Sequence, residues 1–154
     1  MKKALVILSI LALTACKSKK EVVKAPEVKT VVVNINEVEK AKKDNAYQLG
    51  KRVLMTCNTS KFKPFTSSEA TPSVIQNTTQ ERLTKTCHKF RVKYGDFKDI
   101  HLAQVIKDVT TNSYIFRYKA DYQRKFVTKE LRVTINAENK VAAIKSTDWT
   151  DEFK

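Results

Sequence analysis

The chain has 154 residues, which suits one domain with a short tether, and its formal net charge is +14. Such a charge bears on partners and solubility and says nothing about fold. With Gly50 and Gly95 as its two glycines, the sequence offers no glycine-rich loop for phosphates. It also contains no Cys/His spacing typical of zinc sites and no Ser-His-Asp arrangement, so we expect no metal and no cofactor.

The first fifteen residues, MKKALVILSILALTA, have the composition of a signal peptide. Two lysines form a positive start, and an uncharged apolar stretch follows over residues 4–12. That stretch is too short to cross a bilayer as a helix, which needs about 20 residues. We therefore predict that residues 1–15 are a signal peptide.

The end of this segment resembles the lipobox of bacterial lipoproteins. Leu13, Thr14 and Ala15 precede Cys16 as in that family, in which the cysteine thiol receives a diacylglycerol and the peptide is cut before it. The resemblance implies a lipidated Cys16 and a membrane anchor, since two or more acyl chains hold a protein durably. Lys17, in place of an acidic residue, points to the outer membrane. The alternative is an ordinary cleaved signal peptide with a cysteine near its end.

A polar, charged segment follows the predicted lipidation site. Residues 16–36 mix Lys, Glu and Val with one proline, Pro26, and contain no aromatic residue and no Leu. This composition predicts a flexible tether, with the folded domain at residues 37–154. Because residues 31–33 are three consecutive valines, this run could instead add a short strand to the domain.

Two helices are predicted next. The first covers residues 37–57, with Asn36 as its cap and Glu39 completing a capping box. The second has Thr71 as its cap and a proline at its first helical position, runs to about residue 94, and is stopped by Gly95. Both carry an apolar stripe at helical spacing.

One cysteine lies on the apolar stripe of each predicted helix, Cys57 on the first and Cys87 on the second. In an exported protein such a pair is a candidate disulfide, which would stabilise the domain by roughly 3–4 kcal/mol on the chain-entropy estimate. The alternative is two buried, reduced thiols that pack as small hydrophobic side chains.

The hydrophobic period changes to two after Gly95, which predicts strands. They cover residues 97–106, 113–122, 131–135 and 141–147, with a hairpin turn before the last. Helices first and an antiparallel meander afterwards predict an α+β fold, with the N-terminal helices packed on a curved sheet of about four strands.

This element order, with YGDFKDI at the start of the sheet, resembles the nuclear transport factor 2-like superfamily over residues 37–154. The resemblance implies a cone-like domain with a pocket at its open end. Some relatives are enzymes such as ketosteroid isomerase, which needs a buried Asp base facing Tyr and protonated Asp donors. No carboxylate here lies between inward-facing apolar positions, so we expect no such activity, and an enzyme of this kind is the alternative.

An aromatic and aliphatic face of the sheet forms the candidate pocket for a small apolar ligand. Its residues are Leu102, Tyr114, Phe116, Tyr118, Leu131, Val133 and Ile144. The simpler interpretation of this face is a core packed beneath the helices.

A basic face is the second candidate site, for an anionic envelope component or an acidic protein. Its residues are Arg117, Lys119, Arg124, Lys125 and Arg132. The simpler interpretation is a solvated sheet surface, and the export signal argues against nucleic acid. The sequence therefore predicts a lipid-anchored envelope protein with a non-catalytic binding or structural domain.

Overall fold

The computed structural model describes residues 29–126 and 128–153. The predicted signal peptide, Cys16 and the tether as far as residue 28 lie outside the described residues. Within the described ranges, no helix has both the length and the apolar character needed to cross a membrane.

The domain is α+β, as predicted: three helices pack against one curled antiparallel sheet. The helices are α1 (Lys40–Thr59), α2 (Pro72–Asn77) and α3 (Gln80–Tyr94). The strands are β1 (Thr30–Val33), β2 (Phe97–Asp108), β3 (Ser113–Tyr122), β4 (Lys129–Ile135) and β5 (Val141–Asp148). Each strand pairs with its neighbour in sequence, so the sheet is a meander of five strands and not of about four.

The extra strand comes from the predicted tether. β1 pairs with the last part of β2, Val33 opposite Val105 and Thr30 opposite Asp108. A run of β-branched residues gains ladder hydrogen bonds at an open sheet edge, so the strand alternative for the valines is the one observed. The domain therefore begins before residue 37.

Both helix predictions need correction, the first at its start and the second in its interior. Asn34, and not Asn36, accepts a backbone hydrogen bond, at the start of a short 3-10 helix (Ile35–Glu37), so the predicted capping box does not form. The predicted second helix is two helices, because Thr79 takes up a new cap position and its side chain accepts from the backbone N–H of Arg82. Gly95 ends α3 at a φ of 75°, as its position predicted.

The main core lies between the helices and the inner face of the sheet. α1 passes close to β4 at Gly50, where a Cβ would come within 2.8 Å of Val133 Cγ2 and 2.9 Å of Leu131 Cδ2. A glycine at this point lets the helix backbone rest on the sheet.

The predicted disulfide is confirmed. Cys57 in α1 is bonded to Cys87 in α3, with the two Cα atoms 4.6 Å apart. Of the residues of α3, just Cys87 and Tyr94 are buried. The covalent bond therefore holds a helix that has little packing of its own.

Candidate functional site

The residues of the predicted pocket do not surround one cavity. Phe116, Tyr118, Leu131 and Val133 are at most 1% exposed and belong to the core. Leu102, Tyr114 and Ile144 are half-buried at its margins. The simpler interpretation, a core beneath the helices, describes most of this set.

Leu131 and Ile144 also line an apolar cleft between the helices and the sheet, which we call the α3 cleft. Its volume is about 180 Å³. Its other apolar walls are Val53 and Leu54 of α1 and Leu83 and Phe90 of α3, and the disulfide lies beside it. A cavity of this size and lining can accept a small apolar group, because an apolar cavity of about 150 Å³ binds benzene.

Leu102 and Tyr118 line a different depression, a polar groove of about 510 Å³ between α1 and the first part of β2. Tyr47 donates to Asp99 Oδ1 at 3.0 Å, and Lys51 Nζ lies 3.0 Å from the same oxygen. Burial opposes ionisation of Asp99, but the Ile100 N–H, Lys51 and Tyr47 outweigh it and hold the pKa of this carboxyl below its usual value.

This electrostatic setting differs from that of a ketosteroid-isomerase-like site. Asp99 is half-exposed and ion-paired, whereas such an enzyme needs donors whose pKa is raised by an apolar environment. Lowering the pKa makes Asp99 a weaker base. The Asp99 carboxyl in this groove is thus tuned away from that chemistry.

The interpretation of the basic face as a single solvated surface is wrong, because Arg117 is 0% exposed. Its guanidinium makes two hydrogen bonds to Glu130, Nε to Oε1 at 2.6 Å and Nη2 to Oε2 at 3.0 Å. Glu130 is also 0% exposed and takes a further bond from Arg132 Nε at 2.7 Å. Desolvation opposes ionisation of Glu130, but the two arginines outweigh it and lower the pKa of this carboxyl.

The residues that follow β5 cover this ion pair. We call residues 149–153 the C-terminal strap. The Arg117 guanidinium lies 4.4 Å from the ring centre of Trp149 and 5.6 Å from that of Phe153, and it donates to the Thr150 carbonyl at 2.6 Å. The outer face therefore has a small core of its own.

The other members of the predicted basic face are in different places. Lys119 is exposed and lies over the Trp149 ring at 4.7 Å. Arg132 stacks on Phe153 at 4.8 Å. Arg124 and Lys125 belong to the loop between β3 and β4, where Arg124 donates to the Val92 carbonyl.

Sequence reasoning missed the roles of Glu130, Trp149 and Phe153. Glu130 lies on the face opposite Leu131, and the alternation along the strand does not reveal that it is buried there. The aromatic residues four positions apart directly after the last strand were the available signal, since aromatic side chains there can fold back over a strand's arginine.

The described ranges contain no group of three or more His, Cys, Asp or Glu that could hold a metal ion. The chain matches no protein-family model, no curated protein and no solved structure. The resemblances to bacterial lipoproteins and to the nuclear transport factor 2-like superfamily therefore stay predictions.

Proposed function

We propose that the protein is a lipid-anchored envelope protein whose domain binds a small apolar ligand in the α3 cleft, without catalysis. The observation that carries the proposal is the cleft itself, an apolar space of about 180 Å³ beside the disulfide. Export and anchoring rest on the Leu13-Thr14-Ala15-Cys16 sequence.

Three features of the cleft favour ligand binding over simple imperfect packing. α3 contributes few buried residues, so it can shift to admit a ligand at low cost. The disulfide keeps that helix from leaving the domain when it shifts. The walls are mainly aliphatic and aromatic, with the disulfide, Thr86 and Ser146 completing them, which suits a hydrocarbon segment or a single ring.

The alternative partners have less support. An anionic component on the basic face would find the donors of Arg117 already used by Glu130, Gln104 and the strap. An enzyme of the ketosteroid-isomerase kind would need a carboxyl with a raised pKa near Tyr118, and the pKa of Asp99 is lowered.

The ligand proposal can be tested with 1-hexanol as the probe, on the full chain in phosphatidylcholine nanodiscs, by methyl chemical-shift titration. We expect saturable shifts for the Leu83, Leu131 and Ile144 methyl groups. Thr86 lies at the cleft and Lys85 lies next to it on α3 facing solvent. Thr86→Phe should reduce the affinity at least tenfold, and Lys85→Phe should leave it unchanged. Equal effects of the two variants, or shifts that do not saturate, would reject the cleft as a binding site.

The anchor has its own test. Cys16→Ala should move the protein from the membrane fraction to the soluble envelope fraction. Mutant protein that still sediments with membranes after a high-salt wash would contradict a lipid anchor.

A further inference from the structure

The last turn of α3 carries exposed apolar side chains next to unpaired cations. Val92 is 63% exposed, and Phe126, in the loop between β3 and β4, is 65% exposed. Single exposed apolar side chains are normal on a soluble domain. Two of them at one end of the molecule, with cations around them, mark a candidate contact surface.

Contacts between α3 and the loop after β3 bring these side chains to the same place. The Phe126 ring lies 6.1 Å from the ring of Tyr94, the last residue of α3. Arg124 donates from its backbone N–H to the Tyr94 carbonyl at 2.9 Å and from Nη1 to the Val92 carbonyl at 2.8 Å. Both bonds satisfy carbonyl groups that the end of a helix leaves without a partner. The loop is therefore held against the last turn of α3, and Val92 and Phe126 belong to one surface.

Positive side chains surround the two apolar ones. Lys93 Nζ lies 5.2 Å from the centre of the Tyr94 ring, and Lys89 lies one helical turn earlier on α3. The Arg124 guanidinium has N–H groups besides the one bonded to α3, and Lys125 follows it in the loop. All four cations are exposed and have no carboxylate at ion-pair distance among the described residues. We call this surface the α3-end patch, and its members are Lys89, Val92, Lys93, Arg124, Lys125 and Phe126.

The acidic side chains near the patch do not neutralise its charge. Asp96 lies 3.5 Å from Arg91 Nε, and Asp148 lies 2.7 Å from Lys129 Nζ, so each already has a partner. The patch therefore combines unpaired positive charge with exposed apolar side chains. The surface of an anionic bilayer offers the complementary pair, phosphate groups and acyl chains within a few ångströms of depth. An acidic protein segment would be matched by the cations alone.

We propose that the α3-end patch docks the domain on an anionic lipid bilayer, with its cations against the headgroup phosphates and Phe126 in the interface. The inference rests on the membrane anchor proposed above, which brings the domain to the bilayer. It does not involve the ligand of the α3 cleft.

The position of the patch makes the proposal specific. The chain enters the sheet at Thr30, opposite Asp108, whereas the patch is at the other end of β2, where Phe97 pairs with Tyr122. An anchor without docking keeps the Thr30 end nearest to the membrane, and docking brings the opposite end to it. The chain between Cys16 and Thr30 allows docking, since it spans at most about 45 Å when extended and β2, with 12 residues, is about 40 Å long.

Paramagnetic broadening in NMR distinguishes these two orientations. The sample is the full chain in nanodiscs of phosphatidylcholine mixed with phosphatidylglycerol, with a trace of lipid that carries a nitroxide at its headgroup. Val109 is the reporter for the Thr30 end, because it is exposed and its N–H donates to the Lys29 carbonyl. We expect the methyl signals of Val92 to lose more intensity than those of Val109. The order should reverse in pure phosphatidylcholine and at high salt, which screens the attraction.

Charge reversal tests the cations of the patch. Lys89→Glu combined with Lys125→Glu should lower the docking equilibrium constant at least tenfold, because each cation at an anionic surface adds several-fold to binding. Lys63→Glu combined with Lys145→Glu gives the same net charge through exposed positions outside the patch, and it should leave docking unchanged.

A second pair of variants tests the apolar part. Phe126→Ser should lower the docking constant about fivefold, since it removes the ring from the interface, and Val109→Ser should not change it. Stronger broadening at Val109 than at Val92 in anionic nanodiscs would show an anchor without docking and overturn the proposal. Equal effects of the two double variants, or equal docking with and without phosphatidylglycerol, would also overturn it. Broadening at neither position would overturn both the docking and the anchor.

Discussion

The two faces of the sheet are buried by different means. The inner face is covered by α1 and α3 through apolar side chains, and Gly50 lets the α1 backbone approach β4. The outer face is covered by residues 149–153, which lie over one ion pair, Arg117–Glu130. A short irregular segment can bury charged side chains of a sheet when those side chains satisfy one another's hydrogen bonds. Hydrophobic area drives burial on the inner face, whereas on the outer face burial depends on polar pairing.

The largest expected effect on stability comes from breaking the ion pair of the outer face. Glu130→Ala leaves Arg117 buried without its partner and should lower the free energy of unfolding by about 3–5 kcal/mol. Glu138→Ala, which removes an exposed pair with Lys140, should cost less than about 0.5 kcal/mol. The measurement is urea unfolding followed by circular dichroism and by the fluorescence of Trp149, the single tryptophan.

A double replacement sharpens this test. Arg117→Met combined with Glu130→Leu removes the fully buried pair and keeps the volume, so it should recover most of the stability that Glu130→Ala loses, and the remaining loss is the bond from Arg132 to Glu130. If Glu130→Ala and Glu138→Ala have equal effects, the outer face does not depend on its ion pair.

The second prediction concerns α3, which has fewer buried side chains than α1, the other helix over the inner face. Cys57→Ser combined with Cys87→Ser should cost about 3–4 kcal/mol, because the bond closes a loop between residues 30 apart. Since α3 has few buried side chains, hydrogen exchange should increase there more than in β3. Equal loss of protection in both elements would show that α3 is packed better than its burial indicates.

Gly50→Ala should lower the free energy of unfolding by about 1–2 kcal/mol. The added methyl group meets Val133 and Leu131 at under 3 Å, and this overpacking outweighs the gain of about 1 kcal/mol in helix propensity. Gln48→Ala, at an exposed position of α1, is the control and should change little. A more stable Gly50→Ala protein would mean that the helix and sheet are not in close contact there.

The smallest effect is a pH dependence on the helix side. The Arg52 guanidinium beside Glu69 lowers the pKa of that carboxyl to about 2. The pair therefore stabilises the fold fully above the ordinary carboxyl pKa of about 4.5, and this contribution is lost as the pH falls toward 2.

Between pH 5 and pH 3, the wild type should lose about 1 kcal/mol more of its free energy of unfolding than Glu69→Gln does. The difference is small because the pair is partly in solvent. Glu81→Gln removes an exposed pair with Lys85 and should leave the pH dependence unchanged. Identical acid dependence in wild type and Glu69→Gln would contradict the role of this pair.

The sequence by itself determined the strands after Gly95 and placed each of the two cysteines on the apolar stripe of its helix. Alternation of period two along β3 and β4 is a local property, and so is the position of each cysteine on its helix stripe. The same local reasoning placed Arg117 and Arg132 together on the basic face, and Leu131 on the other face of the sheet.

Only the tertiary structure decided which parts of those faces meet water. Arg117 is buried by Trp149 and Phe153, which lie more than thirty positions away in the sequence. The separation of Leu131 and Ile144, in the α3 cleft, from Leu102 and Tyr118, in the polar groove, depends in the same way on where α1 and α3 lie over the sheet. Periodicity identifies the face on which a side chain lies, but burial depends on contacts between segments distant in sequence, which no local pattern records.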